Sequence, residues 1–103
     1  MKTKYKTKIV SKAAEDIVNI VEYIEKELFN PKAAKNILVQ LQNAINNISD
    51  FPYSYPLVEN EFLKEKKVRK APVGKYIIFY LLEDNEVFVL RVISGMKKYY
   101  NIL

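Results

Sequence analysis

The chain has 103 residues, 50% of them apolar, and a formal net charge of +5. That length allows one hydrophobic core and is too short for two, so the sequence predicts a single domain over residues 1–103. There is no cysteine and no histidine, which excludes disulfides, thiolate metal sites and the most common general base of enzymes.

Charge is segregated along the chain. Residues 1–12 hold five lysines and no acid, residues 13–63 hold eight acids against three lysines, and residues 64–103 hold nine basic residues against four acids. Such segregation favours a polyanionic partner, whereas lysines that serve only solubility are the structural alternative. The lysine-rich start is unlike a signal peptide, and no apolar run approaches the ~20 residues that span a bilayer. We therefore expect a cytoplasmic protein without a membrane partner.

The N-terminal half predicts a strand and two helices. Lysines alternate with other residues over 4–10, a period of two that is typical of a strand with a lysine-lined outer face. Apolar residues then recur at helical spacing over 13–28 and 34–48. Ser11 is the expected N-cap of the first helix, and Asn30-Pro31 is expected to begin the second. Because so short a connection joins the helices, they should pack as an antiparallel hairpin.

The C-terminal half predicts strands. Residues 53–65 are interpreted as an irregular connector, and strands are expected over 66–73, 75–82 and 87–93. The tail, 96–103, is expected to form a short helix or another ordered segment. The predicted fold class is α+β in the order β-α-α-β-β-β, with the helical hairpin on one face of a small, mostly antiparallel sheet whose other face is partly open.

A basic cluster lies at the start of the predicted 66–73 strand. It comprises Lys64, Lys66, Lys67, Arg69 and Lys70, with Glu65 as the only acid among them. Cations at this density could bind phosphate groups through charge and counterion release. The alternative is an edge strand that lysines protect from aggregation.

Arg91 is a charged residue inside the apolar run VFVLRVI. Strand alternation assigns Phe88 and Val92 to the face that packs on the helices, so Arg91 is predicted to point to the open face beside Arg69 or Lys67. There it could bind an anion through its planar guanidinium. The alternative is a structural ion pair with a glutamate of a helix.

A last cluster near the C-terminus comprises Lys97, Lys98, Tyr99 and Tyr100. RNA cleavage through its own 2′-hydroxyl requires a base, an acid and cations that stabilise the phosphorane, and it requires no metal or cofactor. Lysine, arginine and tyrosine could supply these functions without histidine. Alternatively, the two tyrosines only cover the core.

Several segments together resemble the RelE/ParE superfamily of bacterial toxins. These are SKAAEDIVNIVEYI, NPKAAKNIL, FPYSYP, VRK, YIIFY and VLRVISGMKKYYNIL, and they follow one another over nearly the whole chain. The resemblance implies a toxin that is neutralised by an antitoxin encoded beside it. RNA-cleaving members act on messenger RNA in the ribosome, whereas other members poison DNA gyrase and have no ribonuclease activity.

The resemblance also implies residue roles. The strand arginine of RNA-cleaving members matches Arg69, and their loop lysines match Lys64, Lys66 or Lys67. Lys97 and Tyr99 or Tyr100 match the C-terminal catalytic positions. From their own chemistry and placement, Lys98 and Arg91 are further candidates for RNA binding. Ser94 and Met96 depart from the family pattern around its last glycine. Ribosome-dependent mRNA cleavage is therefore the first hypothesis, gyrase poisoning the second, and a binding module that has lost toxicity the third.

Overall fold

The computed structural model describes residues 5–95, so the element predicted over 96–103 lies outside the described part. A π-helical turn, Tyr23–Glu27, extends the first helix. The other elements are β1 (Lys6–Ile9), α1 (Ser11–Glu22), α2 (Pro31–Asp50), α3 (Glu61–Glu65), β2 (Arg69–Val73), β3 (Tyr76–Glu83) and β4 (Glu86–Ser94). In this region, no helix is long and apolar enough to cross a membrane.

The strands form one sheet with the order β1-β4-β3-β2. β1 runs parallel to β4, and the other neighbours are antiparallel. A two-residue turn joins β3 to β4, and both of its residues, Asp84 and Asn85, have positive φ angles, as a tight hairpin turn requires. The predicted α+β fold with a mostly antiparallel sheet is confirmed.

The helical hairpin begins and turns at residues whose chemistry fits those positions. Pro31 is the first residue of α2, and the Asn30 side chain accepts a hydrogen bond of 3.0 Å from the Ala33 amide, so this N-cap prediction is confirmed. The Ser11 prediction is wrong, because Val10 occupies the N-cap position and Ser11 is the first helical residue.

Apolar residues pack on both faces of the sheet. The larger cluster joins the helices to one face and includes Ile37, Leu41 and Tyr80. A smaller cluster on the other face includes Leu63 of α3 and Phe79 of β3. The connector interpreted as irregular thus contains a helix, whose buried leucine partly covers the face that the sequence predicts to be open.

A β-bulge in β4 changes which residues face the helices. Phe79 pairs with Arg91, but the next residue of β3, Tyr80, pairs with Val89, so Leu90 is the extra residue. Val89 and Val92 both belong to the helix-facing cluster although three positions separate them. The predicted strict alternation over β4 is therefore wrong.

Candidate functional site

A cleft with a volume of about 430 Å³ lies where the connector after α2 meets the start of β2. Three of the predicted basic residues, Lys64, Lys67 and Arg69, line this cleft together. The other lining residues are Tyr53, Leu57 and Leu82. We call it the basic cleft. It combines three cations with one aromatic ring, a combination suited to a phosphate group with an attached base.

The short helix α3 and the turn that ends it hold the two lysines of the basic cleft. Its N-cap, Asn60, accepts a hydrogen bond of 3.2 Å from the Leu63 amide. At its C-terminal end, the Lys67 amide donates to the Lys64 carbonyl at 2.9 Å, and the Val68 amide donates to the Leu63 carbonyl at 3.0 Å. Leu63 and Val68 are buried in the same apolar cluster. This anchoring fixes the backbone at both lysines.

Arg69 enters the basic cleft from the first position of β2. Its Nη1 donates a hydrogen bond of 2.6 Å to the carbonyl of Tyr55, and its guanidinium carbon lies 5.3 Å from the centre of the Tyr53 ring. Both contacts are with neutral groups. Since no described carboxylate forms an ion pair with Arg69, its positive charge remains uncompensated by a partner within residues 5–95.

The connector that bears Tyr53 and Tyr55 is fixed from beneath by Tyr80. The Tyr80 hydroxyl donates a hydrogen bond of 2.7 Å to the Pro52 carbonyl, and its ring meets that of Tyr55 edge-on at 6.2 Å. Burial raises the pKa of Tyr80 to about 12, although the nearby Arg69 opposes this shift. The phenol is therefore neutral and available as a donor at physiological pH.

Sequence reasoning missed the contribution of Tyr53 and Tyr55 to the site. The available signal was the segment FPYSYP, in which two prolines restrict the backbone and two tyrosines flank a serine. From the sequence, this segment is interpreted only as the start of an irregular connector and as part of the family resemblance. Its position beside β2 depends on long-range contacts, among them the hydrogen bond from the Lys70 amide to the Pro56 carbonyl.

Lys66 lies apart from the three basic residues that line the basic cleft. Its ammonium group sits 5.1 Å from the centre of the Phe62 ring, and it does not line the basic cleft. Lys66 is the C-cap residue of α3, where the helix ends. Its side chain therefore points in a different direction from those of Lys64 and Lys67.

Arg91 pairs with Phe79 of the smaller cluster, as the predicted face requires. However, the prediction that its guanidinium lies beside Arg69 or Lys67 as an anion site is wrong. Its guanidinium binds the carboxylate of Asp16 on α1 through two hydrogen bonds, from Nε at 2.7 Å and from Nη2 at 3.0 Å. The alternative interpretation, a structural ion pair with a helix, is the one observed, but the partner is an aspartate and not the expected glutamate. These bonds raise the pKa of Arg91 above its ordinary value.

The reason for this arrangement is the end of β1. β1 pairs with β4 only as far as Val89, and α1 then occupies the space beside the remainder of β4. The buried Asp16 carboxylate accepts a hydrogen bond of 3.0 Å from the Val92 amide, in addition to those from Arg91. Arg91 and Asp16 line a separate cleft of about 440 Å³. Arg91 is therefore a structural residue that compensates a buried carboxylate.

The remaining candidates, Lys97, Lys98, Tyr99 and Tyr100, lie outside the described residues. Within residues 5–95, no group of three or more acidic, histidine or cysteine side chains could hold a metal ion. The described part of the site thus consists of the three cations and the tyrosine of the basic cleft.

The comparisons with known proteins identify the family. The family described as "ParE toxin of type II toxin-antitoxin system, parDE" matches residues 8–99. The chain therefore belongs to the ParE toxin family, within the RelE/ParE superfamily. No curated protein matches its sequence.

Two solved structures share its fold. One belongs to the chromosomal ParDE toxin–antitoxin system of P. aeruginosa, with a TM-score of 0.73 and 16% identity over 88% of this chain and 96% of that one. The other belongs to the RelBE2 toxin–antitoxin complex of Mycobacterium tuberculosis, with a TM-score of 0.62 and 18% identity over 89% of this chain and 99% of that one.

Proposed function

We propose that this toxin inhibits translation by ribosome-dependent cleavage of messenger RNA and that a cognate antitoxin neutralises it. The observation that carries this proposal is the basic cleft, in which Lys64, Lys67 and Arg69 lie together beside the ring of Tyr53. Cations bind the backbone of RNA, and an aromatic ring stacks on an unpaired base.

The proposed chemistry uses the RNA as its own nucleophile. The 2′-oxygen forms a bond to phosphorus while the bond to the 5′-oxygen breaks, which leaves a 2′,3′-cyclic phosphate and a free 5′-hydroxyl. The three cations of the basic cleft would stabilise the negative charge that develops on the phosphoryl oxygens. Tyr99 or Tyr100, with Lys97, would remove the proton from the 2′-hydroxyl and supply one to the departing oxygen.

The antitoxin is proposed from the family and from charge. Both solved structures described above belong to toxin–antitoxin systems, and an uncompensated cationic cleft favours an acidic partner. We expect an antitoxin segment that combines acidic and apolar residues to cover the basic cleft or the groove beside the helical hairpin. An antitoxin that docks only on the acidic helices and leaves Arg69 open would contradict this expectation.

A second candidate is poisoning of DNA gyrase, and the matched family supports it because its description names ParE toxins. In this alternative, the basic surface contacts a protein and the toxin cuts no bond itself. The hairpin formed by α1 and α2, which belongs to the superfamily fold, is compatible with it.

Expression of the toxin without an antitoxin distinguishes the candidates when translation, mRNA integrity and plasmid supercoiling are measured in parallel. Messenger RNA cleavage with normal supercoiling supports the proposal, and loss of supercoiling with intact mRNA supports gyrase. A variant with Arg69→Ala, Tyr99→Phe and Tyr100→Phe should no longer arrest growth, whereas Lys35→Gln, an exposed change on α2, is the control. No effect by the wild type in any assay would indicate a module without toxicity.

A further inference from the structure

Lys67 has a left-handed backbone conformation, with a φ angle of 60°. This conformation crowds the Cβ of ordinary residues, and glycine adopts it most easily. Asp84 and Asn85 share the left-handed region, but they belong to a turn where short polar residues are common. Lysine has no such local advantage.

The backbone around Lys67 requires the left-handed conformation. The two hydrogen bonds that end α3, from Lys67 to Lys64 and from Val68 to Leu63, define a Schellman motif. Lys67 occupies the position that follows the C-cap in this motif, where glycine is strongly preferred. The contact between Leu63 and Val68 in the smaller core cluster completes the motif. The fold therefore favours glycine at this position, where the sequence has lysine.

Unlike glycine, Lys67 has a charged side chain, and this side chain lines the basic cleft beside Lys64 and Arg69. Because the motif fixes the Lys67 backbone, less conformational freedom is lost when its ammonium binds a ligand. Strained backbone conformations of this kind often occur where function requires a particular side chain.

We infer that Lys67 is a dedicated phosphate-binding residue of the basic cleft, carried at a position where glycine would make the protein more stable. The inference rests on the proposed function in that the phosphate belongs to single-stranded RNA. It adds that stability and RNA binding oppose each other at this one residue.

The test compares two substitutions that both remove the charge. Lys67→Gly removes the charge and relieves the backbone, whereas Lys67→Gln removes the charge and keeps a side chain in the left-handed conformation. Binding of a fluorescent eight-nucleotide single-stranded RNA is measured over a series of salt concentrations, together with the melting temperature. Both variants should bind about 3- to 10-fold more weakly, and the slope of log affinity against log salt should fall by about 0.7, the contribution of one phosphate contact. Only Lys67→Gly should melt higher, by about 2–6 °C.

Two matched control variants separate the effect of the backbone conformation from the effect of the charge. Phe29 also has a positive φ, of 49°, and is 86% exposed in the loop between α1 and α2. Phe29→Gly should raise the melting temperature without changing RNA affinity. Lys35→Gln removes a lysine from exposed α2 and should leave the salt slope unchanged.

The inference is overturned if the wild type does not bind the RNA, if Lys67→Gly and Lys67→Gln keep the wild-type slope, or if Lys67→Gly does not melt higher. These outcomes are distinct from failure of the proposed function. If the wild type binds RNA with the expected slope but leaves mRNA intact on ribosomes, mRNA cleavage fails and the role of Lys67 stands.

Discussion

Two arginines on strands of the same sheet, Arg69 and Arg91, have opposite roles. Arg91 is bound by a buried carboxylate, and its side chain is only 16% exposed. Arg69 donates to a backbone carbonyl and stacks on a tyrosine in the basic cleft. Asp16 neutralises the charge of Arg91, whereas the contacts of Arg69 orient its guanidinium and leave its charge in place.

The comparison shows that the partner of a charged side chain determines what it can do. Removing one partner of a buried ion pair destabilises the fold, because the other charge is then buried without compensation. A guanidinium held by neutral groups is preorganised and can still attract an anion. Arg91 is therefore expected to matter for stability, and Arg69 for activity.

The largest expected effect on stability follows from breaking the ion pair. Asp16→Ala leaves the Arg91 guanidinium and the Val92 amide without their shared acceptor, and it should lower the free energy of unfolding by about 3 kcal/mol. Urea denaturation measures this change. In a double-mutant cycle, Asp16→Leu and Arg91→Leu together should be less destabilising than the sum of the two single changes, by at least about 1 kcal/mol. Strict additivity would show that the pair is not coupled.

A smaller effect concerns Tyr80, which fixes the connector above Arg69. Its pKa in the folded protein is about 12, raised from 10.0. The folded state thus favours the neutral phenol, so this stabilisation is complete below pH 10 and is lost as the pH rises towards 12. Over that interval, the wild type should lose about 2 kcal/mol more unfolding free energy than Tyr80→Phe does. Urea denaturation measures the unfolding free energy of both proteins against pH. If the two free energies fell equally from pH 10 to pH 12, the raised pKa of Tyr80 would be contradicted.

The smallest effect is expected for Lys66, whose ammonium lies over Phe62 outside the basic cleft. Lys66→Gln should leave the salt dependence of RNA binding nearly unchanged, whereas Lys64→Gln should lower its slope by about 0.7. Fluorescence anisotropy with the same short RNA measures both variants. Equal reductions would mean that the two lysines act alike despite their different positions.

The sequence was sufficient for features that depend on local periodicity and for the capped start of α2. The apolar spacing of α1 and α2, the Asn30-Pro31 start and the β3–β4 hairpin all follow from short-range rules. The basic cluster was also visible, because clustered charge is a property of the sequence itself.

Features that depend on long-range contacts could not be predicted in this way. The bulge at Leu90 breaks the alternation of β4, so that Val87 and Val89 face the helices where Phe88 and Leu90 were predicted to do so. The partner of Arg91 lies 75 residues away in the sequence. Likewise, Tyr53 reaches the basic cleft through long-range contacts, in which Tyr80 and Arg69 hold the connector against the sheet.

The most direct test of the account is the potency of the purified toxin in a reconstituted bacterial translation reaction. The toxin concentration that halves protein synthesis is measured for the wild type, for Arg69→Gln and for the double variant Asp16→Leu/Arg91→Leu, each verified as folded by circular dichroism. The account predicts that Arg69→Gln raises this concentration by about 100-fold, because a contact that stabilises transition-state charge is lost. The double variant should stay within about threefold of the wild type, because it removes only a structural pair. Full potency of Arg69→Gln, or a wild type that leaves translation unaffected, would contradict the account.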